Sequence, residues 1–436
     1  MLNVTITAIV TLLLLELSSF LLFPHLTSRS FTYGTVADAR STRIREIRNK
    51  LTPSETTRAL YQFHPYLGYV GNPGAHPWGE SMPPFNEFGM LSVLNHPYPF
   101  EKSANQFVIG VVGGSVAEIF ANLTEQKLGR YLRDEYGFDK ELVLINLATG
   151  GYKQPQQLFQ VQYALLSGFE LDAVLNIDGF NDLVLAEENH EKGINTLFPS
   201  GHHIGLMSKT QLGGQLDYQT SRRLYQYFDL YASELRLLEL LQQSPLRYSV
   251  FLNLVGELWP QRTRAKADQK KLQIVQGAQE TMDDTFRGPT VPRAEESRER
   301  ALDTWQRASE FLYAVCQANN LIYLHVLQPN QYVEGAKPLS EDERSAAINP
   351  ANRWGDKARA GYPLLIARGK QLKARGVPFY DLTRAFEDVR ETLYVDDCCH
   401  FGEQGNLILG TAIADILMSE LKERANITLN PERATP

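Results

Sequence analysis

From Val4 to Phe23 the chain reads "VTITAIVTLLLLELSSFLLF", twenty residues with a single charge, Glu16. A helix of that length rises about 30 Å, enough to cross the hydrocarbon core of a bilayer. No Lys or Arg precedes the run, and Pro24 and His25 follow it, so residues 1–24 are expected to be an uncleaved transmembrane anchor. Glu16 would be tolerated near mid-helix or paired within the bilayer. Residues 25–60 turn polar and Arg-rich, a juxtamembrane stalk in which "STRIREIRNKL" predicts a solvated charged helix. Residues 61–104 are crowded with Pro, Gly and aromatic side chains, which predicts turns and short strands.

At Phe107 the pattern changes again. "FVIGVV" is a buried-strand run closed by Gly113 and Gly114, and Val116, Ile119, Phe120 and Leu123 then recur at helical spacing. "ELVLINLA", "LDAVLNID", "LIYLHVL" and "VPFYDL" predict four more strands, with helical segments between them and a closing helix on Leu409, Ile413, Ile416 and Leu417. Strands alternating with helices predict an α/β domain over residues 105–425, its parallel sheet covered on both sides. The rhythm fails over residues 205–300, which predict a helical insertion, part of it rich in charge and poor in apolar residues. Residues 426–436 form a tail.

Composition adds little beyond exclusions. A net charge of −7 over 436 residues speaks against a nucleic-acid partner. Three cysteines (Cys316, Cys398 and Cys399) are too few for a disulfide scaffold. The chemistry is therefore sought in the loops that follow the strands, where parallel sheets bind ligands. After the first comes "GGSVAEIF", whose Ser115 reads as a nucleophile, a phosphate contact or an N-cap. After the second comes "NLATGGYKQPQQ", with Gly150 and Gly151. After the third comes "IDGFNDLVL", whose Asn181 reads as an oxyanion donor or an Asx turn. Last comes "VDDCCHFGEQGN", in which Asp397 and His400 stand three apart, an orienting carboxylate and a base.

This ordered set resembles the SGNH (GDSL-like) hydrolases, here a membrane-anchored bacterial-type member. The matching residues are Ser115 in "GGS", Gly151 in "GGY", Asn181 in "GFND", and Asp397 with His400 in "DCCH". "HPYLGYV", "FNEFGM" and "HVLQPNQY" add a weaker likeness. The family's Gly-Asp-Ser is Gly113-Gly114-Ser115 here, and the 205–300 insertion has no counterpart. The resemblance implies a flavodoxin-like three-layer sandwich and a serine esterase. In that enzyme Ser115 attacks an acyl ester, His400 takes its proton, and Asp397 orients His400. Ser115, Gly151 and Asn181 would form the oxyanion hole. The acyl group would be short, and the alcohol a carbohydrate among other possibilities. No metal and no cofactor are implied. Acyl transfer onto a polysaccharide by the same triad is one alternative; an anchored glycan-binding or scaffold protein is another. A nucleotide-phosphate loop at "GVVGGS" lacks the rest of the Gly-rich fingerprint and a following Lys.

Gln328, Asn330, Gln331 and Tyr332 follow the fourth strand and are candidate substrate contacts or a structural turn around Pro329, while His325 reads as a packed core residue. Family habit places the catalytic domain outside the cytoplasm. Arg29, Arg40, Arg43, Arg45, Arg48 and Lys50 pull the other way by the positive-inside tendency. Cys398 and Cys399 lack zinc-site spacing, and a bridge from either to Cys316 would brace the loop of the base.

Overall fold

A computed structural model describes residues 2–51, 60–78, 82–204, 218–285, 288–350 and 352–429. The described chain divides into two compact units, one of residues 1–58 with 208–284 and one of residues 59–207 with 285–436.

The first unit is helical: α1 (Leu2–Thr27), α2 (Tyr33–Leu51), then, from the segment expected as an insertion, α6 (Tyr218–Gln243) and α7 (Val250–Thr285). Over Val4–Thr27, α1 is long and apolar enough to cross a membrane, and most of its leucines are exposed. Its lone acid, Glu16, accepts hydrogen bonds from the Ser249 hydroxyl and from the backbone N–H groups of Val250 and Phe251, so it caps the start of α7.

The stalk helix α2 is not simply solvated. Ile44 and Ile47 pack against Tyr231 and Leu238, and the arginines on the same face are buried with them. Arg43 donates to both oxygens of Glu234, at 2.6 and 3.2 Å, and Arg40 donates to Leu241 O and the Asn253 side chain. A charge run reads as solvated unless its partners are known, and these partners lie about 190 or more residues away in sequence.

The second unit holds the sheet. A hairpin of β1 (Tyr61–His64) and β2 (Gly68–Gly71) comes first. Then follow β3 (Gln106–Gly113), α3 (Ser115–Tyr136), β4 (Glu141–Asn146), α4 (Gln156–Leu166), β5 (Ala173–Asp178) and α5 (Phe180–Glu191). After the helical unit come α8 (Ala294–Ala318), β6 (Ile322–Leu327), α9 (Glu341–Ala347), α10 (Trp354–Ala374), β7 (Phe379–Asp381) and α11 (Glu403–Leu429). All five predicted strands form one parallel sheet in the order β4-β3-β5-β6-β7. The apolar runs are buried on both faces because helices cover both: α3 packs with α11, while α5 packs with α8 and α10.

The order reverses beside β3. The chain leaves β3 for β4 on one side, then crosses back to β5 on the other. Right-handed crossovers in opposite directions put α3 and α4 on opposite faces and open a crevice at the carboxyl ends of β3 and β5. Every loop singled out in the sequence ends at this rim.

Within the helical unit, Arg43→Ala leaves Glu234 buried and unpaired. It should lower the local stability of α2 and α6 by about 3–5 kcal/mol, read by hydrogen exchange of their amides; a loss under about 1 kcal/mol would show that water already reaches the pair.

Candidate active site

Three glycine positions shape the turns at the crevice, Gly113 and Gly114 ahead of Ser115 and Gly151 after β4. Gly113 has φ +151°, and a Cβ there would meet Ile177 O at 2.1 Å. A Cβ on Gly114 would meet the Asn181 side-chain nitrogen at 2.2 Å, so that amide lies directly against the turn. Gly151, at φ +78°, occupies the third position of a turn closed by Tyr152 N–H to Thr149 O at 3.0 Å, the type II position that favours glycine. Gly114, not Ser115, is the N-cap of α3, so the capping role open to Ser115 in the sequence is taken.

The Ser115 hydroxyl faces the imidazole instead. His400 Nε2 lies 2.6 Å from Ser115 Oγ, and His400 Nδ1 lies 2.5 Å from Asp396 Oδ2. The carboxylate on the imidazole is therefore Asp396, and the expectation of Asp397 is corrected. Residues 396–400 are not helical; α11 begins only at Glu403, so an argument from positions three apart on a helix does not apply. Val395 N–H donates to His400 O at 3.0 Å, and Gly402 N–H donates to Leu393 O at 2.8 Å, folding the loop back on itself. In that fold Asp396 Oδ1 accepts the N–H groups of Cys398, Cys399 and His400 at 3.0–3.2 Å. Asp397 points elsewhere and accepts from Asn352 at 3.2 Å.

Electrostatics follow from this packing. Burial works to raise the Asp396 carboxyl, but the hydrogen bond and charge of His400 and the backbone N–H groups hold it below the ordinary value. Burial works to lower His400, yet Cys399, Asp396 and Glu118 together raise it to about 9. Glu118 was not picked out in the sequence. It lies one turn along α3 from Ser115, is fully buried, and accepts from Trp78 Nε1 at 3.2 Å. The Trp78 ring stands edge-on to His400, with centroids 5.5 Å apart. Burial pushes Glu118 up to about 8, against the Trp78 hydrogen bond and the His400 charge, so it is mostly neutral near pH 7.

A second buried carboxyl ties the crevice loops together. Asp182 Oδ1 accepts Gln154 N–H at 2.7 Å, and Oδ2 accepts Gly179 N–H at 3.2 Å. That couples the start of α5, which carries Asn181, to the Gly151 turn. Burial raises the Asp182 carboxyl, with the Asp178 charge adding to it, and lowers Lys153, against the attraction between the two. Asn181 donates to Tyr152 O at 2.9 Å, leaving its second N–H for another acceptor.

The segment after β6 was open to two readings, substrate contacts or a structural turn around Pro329. Gln328, Asn330, Gln331 and Tyr332 are all buried. Gln331 donates to the carbonyls of Asp396 and Cys398 at 3.1 and 3.3 Å, and Tyr332 OH donates to Asp397 O at 2.6 Å. Asn330 accepts Tyr332 N–H at 2.9 Å. Of the two readings of this segment, the structural turn fits: these side chains brace the His400 loop from behind. Glu343, buried and paired with Lys337 at 2.7 Å, supports it further by accepting the N–H groups of Leu393 and Tyr394 at 2.8 Å. His325 lies in the core between Asp178 at 2.9 Å and Ser309 at 2.7 Å. All three cysteines are free thiols.

No family model matches the chain, and no curated protein matches it in sequence.

Glu118 makes stability depend on pH in a defined direction. Its folded value, about 8, lies above the ordinary 4.5, so in that interval the folded state holds a proton that the unfolded state has released. Stability must fall as pH rises through the interval. Glu118→Gln should remove this fall, so the Tm of the variant relative to wild type should rise between about pH 5 and about pH 8. A gap constant with pH would mean that Glu118 is charged throughout.

Proposed function

We propose that the protein is a serine ester hydrolase of the SGNH (GDSL-like) type, acting on acyl esters of short acids, with carbohydrate O-acyl esters within its range. The observation that carries this reading is the line Ser115 Oγ, His400 ring, Asp396 carboxylate, with separations of 2.6 and 2.5 Å. The strand order, 2-1-3-4-5 when the sheet is counted alone, is the flavodoxin-like order and supports it. So does the half-buried setting of Ser115 and His400, at the crevice where such sheets hold ligands.

In the reaction the neutral form of His400, whose share grows as pH rises toward about 9, removes the Ser115 proton through Nε2 as Oγ attacks the ester carbonyl. Asp396 keeps the proton of Nδ1 in place and stabilises the imidazolium that forms. The carbonyl oxygen, now negative, is met by backbone N–H groups of the Ser115 and Gly151 turns and by the Asn181 amide. The C–O bond breaks, His400 protonates the departing alcohol, and water attacks the acyl-enzyme by the same route reversed. The helix N-terminus beneath Ser115 adds its positive end to the oxyanion side.

A fluorophosphonate probe should label the wild type on Ser115, and Ser115→Ala should abolish both labelling and p-nitrophenyl acetate turnover. Undiminished turnover in that variant would sink the reading.

The two neighbouring aspartates separate cleanly. Asp396→Asn should lower kcat by about 10⁴-fold by fixing the wrong tautomer, while Asp397→Asn, off the imidazole, should cost less than about tenfold. The reverse order would restore Asp397 as the orienting acid.

A further inference from the structure

Cys398 and Cys399 have no part in the reaction just described, yet their side chains sit beside its base. Their Sγ atoms are 3.5 Å apart, and the ligand atoms of Cys398, Cys399 and His400 all lie within 4.8 Å of one another. Cys398 is half-buried and gives access, while Cys399 is buried beneath it.

Two chemistries could use such a pair, and geometry separates them. A disulfide needs its sulfurs about 2.05 Å apart and its Cα atoms at least about 4.4 Å apart. Neighbouring residues across a trans peptide have Cα atoms about 3.8 Å apart, below the usual disulfide range, so closing the bond would strain the Cys398–Cys399 backbone. That backbone is held: the N–H groups of both residues bind Asp396 Oδ1, and Gln331 binds Cys398 O. Chelation asks for no such strain. With metal–sulfur bonds of about 2.3 Å, sulfurs 3.5 Å apart subtend about 100° at the ion, close to a tetrahedral bite.

We infer that Cys398 and Cys399 form a capture site for one soft, thiophilic divalent cation of the Zn²⁺ or Cd²⁺ kind, with His400 as the third ligand. Binding releases two thiol protons and forms two metal–thiolate bonds, so the dication is neutralised by its two sulfur ligands. The third bond has a direct consequence. Both imidazole nitrogens are engaged, Nδ1 with Asp396 and Nε2 with Ser115, so whichever turns to the ion gives up its partner. A tetrahedral site wants ligand separations of roughly 3.5–3.8 Å, so the ring has only ~1 Å to move. The loaded protein would hold its fold and lose its base. The ion is thus an inhibitor of the site, not a cofactor.

The binding half of this inference stands alone, while the inhibition half rests on the hydrolase reading. Both are tested on the full chain, reduced and then freed of reductant, titrated with Cd²⁺ alone. One equivalent should produce a sulfur-to-cadmium charge-transfer absorption that persists in Cys316→Ser and is lost in Cys398→Ser and Cys399→Ser. Cys398→Ser, on the accessible side of the pair, keeps the test decisive if Cys399→Ser does not fold. Loading should cut fluorophosphonate labelling of Ser115 at least tenfold relative to the metal-free sample of the same protein, and EDTA should restore it. No absorption at one equivalent, or absorption that survives Cys398→Ser, overturns the site. Absorption with undiminished labelling overturns the third ligand. A metal-free protein that shows the absorption with Cd²⁺ but never labels would count against the hydrolase reading and leave the dithiol site standing.

Discussion

One carboxylate holds the candidate site together. Asp396 spends one oxygen on His400 Nδ1 and the other on three consecutive backbone N–H groups, those of Cys398, Cys399 and His400. The second task makes the first possible. A histidine on an irregular loop has two free side-chain torsions and a mobile backbone, and either freedom would let the ring leave Ser115. Three N–H groups on one oxygen fix the backbone, and the other oxygen then fixes the ring. The same bonds help keep Asp396 ionised against its burial, which is what a carboxylate facing an imidazolium requires.

That arrangement explains why the sequence pointed one residue too far. "DDCCH" offers two aspartates, and the helical rule of thumb selects the one three residues from the histidine. The rule presupposes helix geometry, and this loop folds back through the Tyr394–Phe401 bridge before α11 begins. In a loop the choice depends on which side chain can also collect the local N–H groups. Asp396 can; Asp397 is turned away and held by Asn352 and, through its carbonyl, by Tyr332. Neither partner is near in sequence, so no local pattern could have marked them.

The legible and illegible parts of the chain divide along the same line. Strands buried on both faces must be continuous apolar runs, so β3 to β6 were visible in the sequence, and so was the short edge strand β7, though only Phe379 of it is buried. Ser115 and Asn181 were visible because they stand in tight turns directly after β3 and β5, and His400 because it stands just ahead of the closing helix. What the sequence hid is polar groups whose role depends on distant partners. Gln331 and Tyr332 could be read as substrate contacts or as part of a turn, and they spend their donors on backbone carbonyls of the 396–398 stretch. Arg40 and Arg43 looked solvated because their acceptors on α6 and α7 are about two hundred residues away. Glu118 drew no attention in the sequence and is fully buried.

Glu118 also shows how the upstream segment enters the site. A buried acid one turn from the nucleophile, if ionised, would attract the imidazolium and compete with Asp396 for the ring. Burial keeps it mostly neutral, and Trp78 touches both, donating to Glu118 and making a T-shaped ring contact with His400. The Pro- and Gly-rich stretch before the first strand of the sheet is therefore part of the candidate site. Its turns deliver one aromatic side chain to the base, and Glu118 holds the indole N–H in a fixed direction.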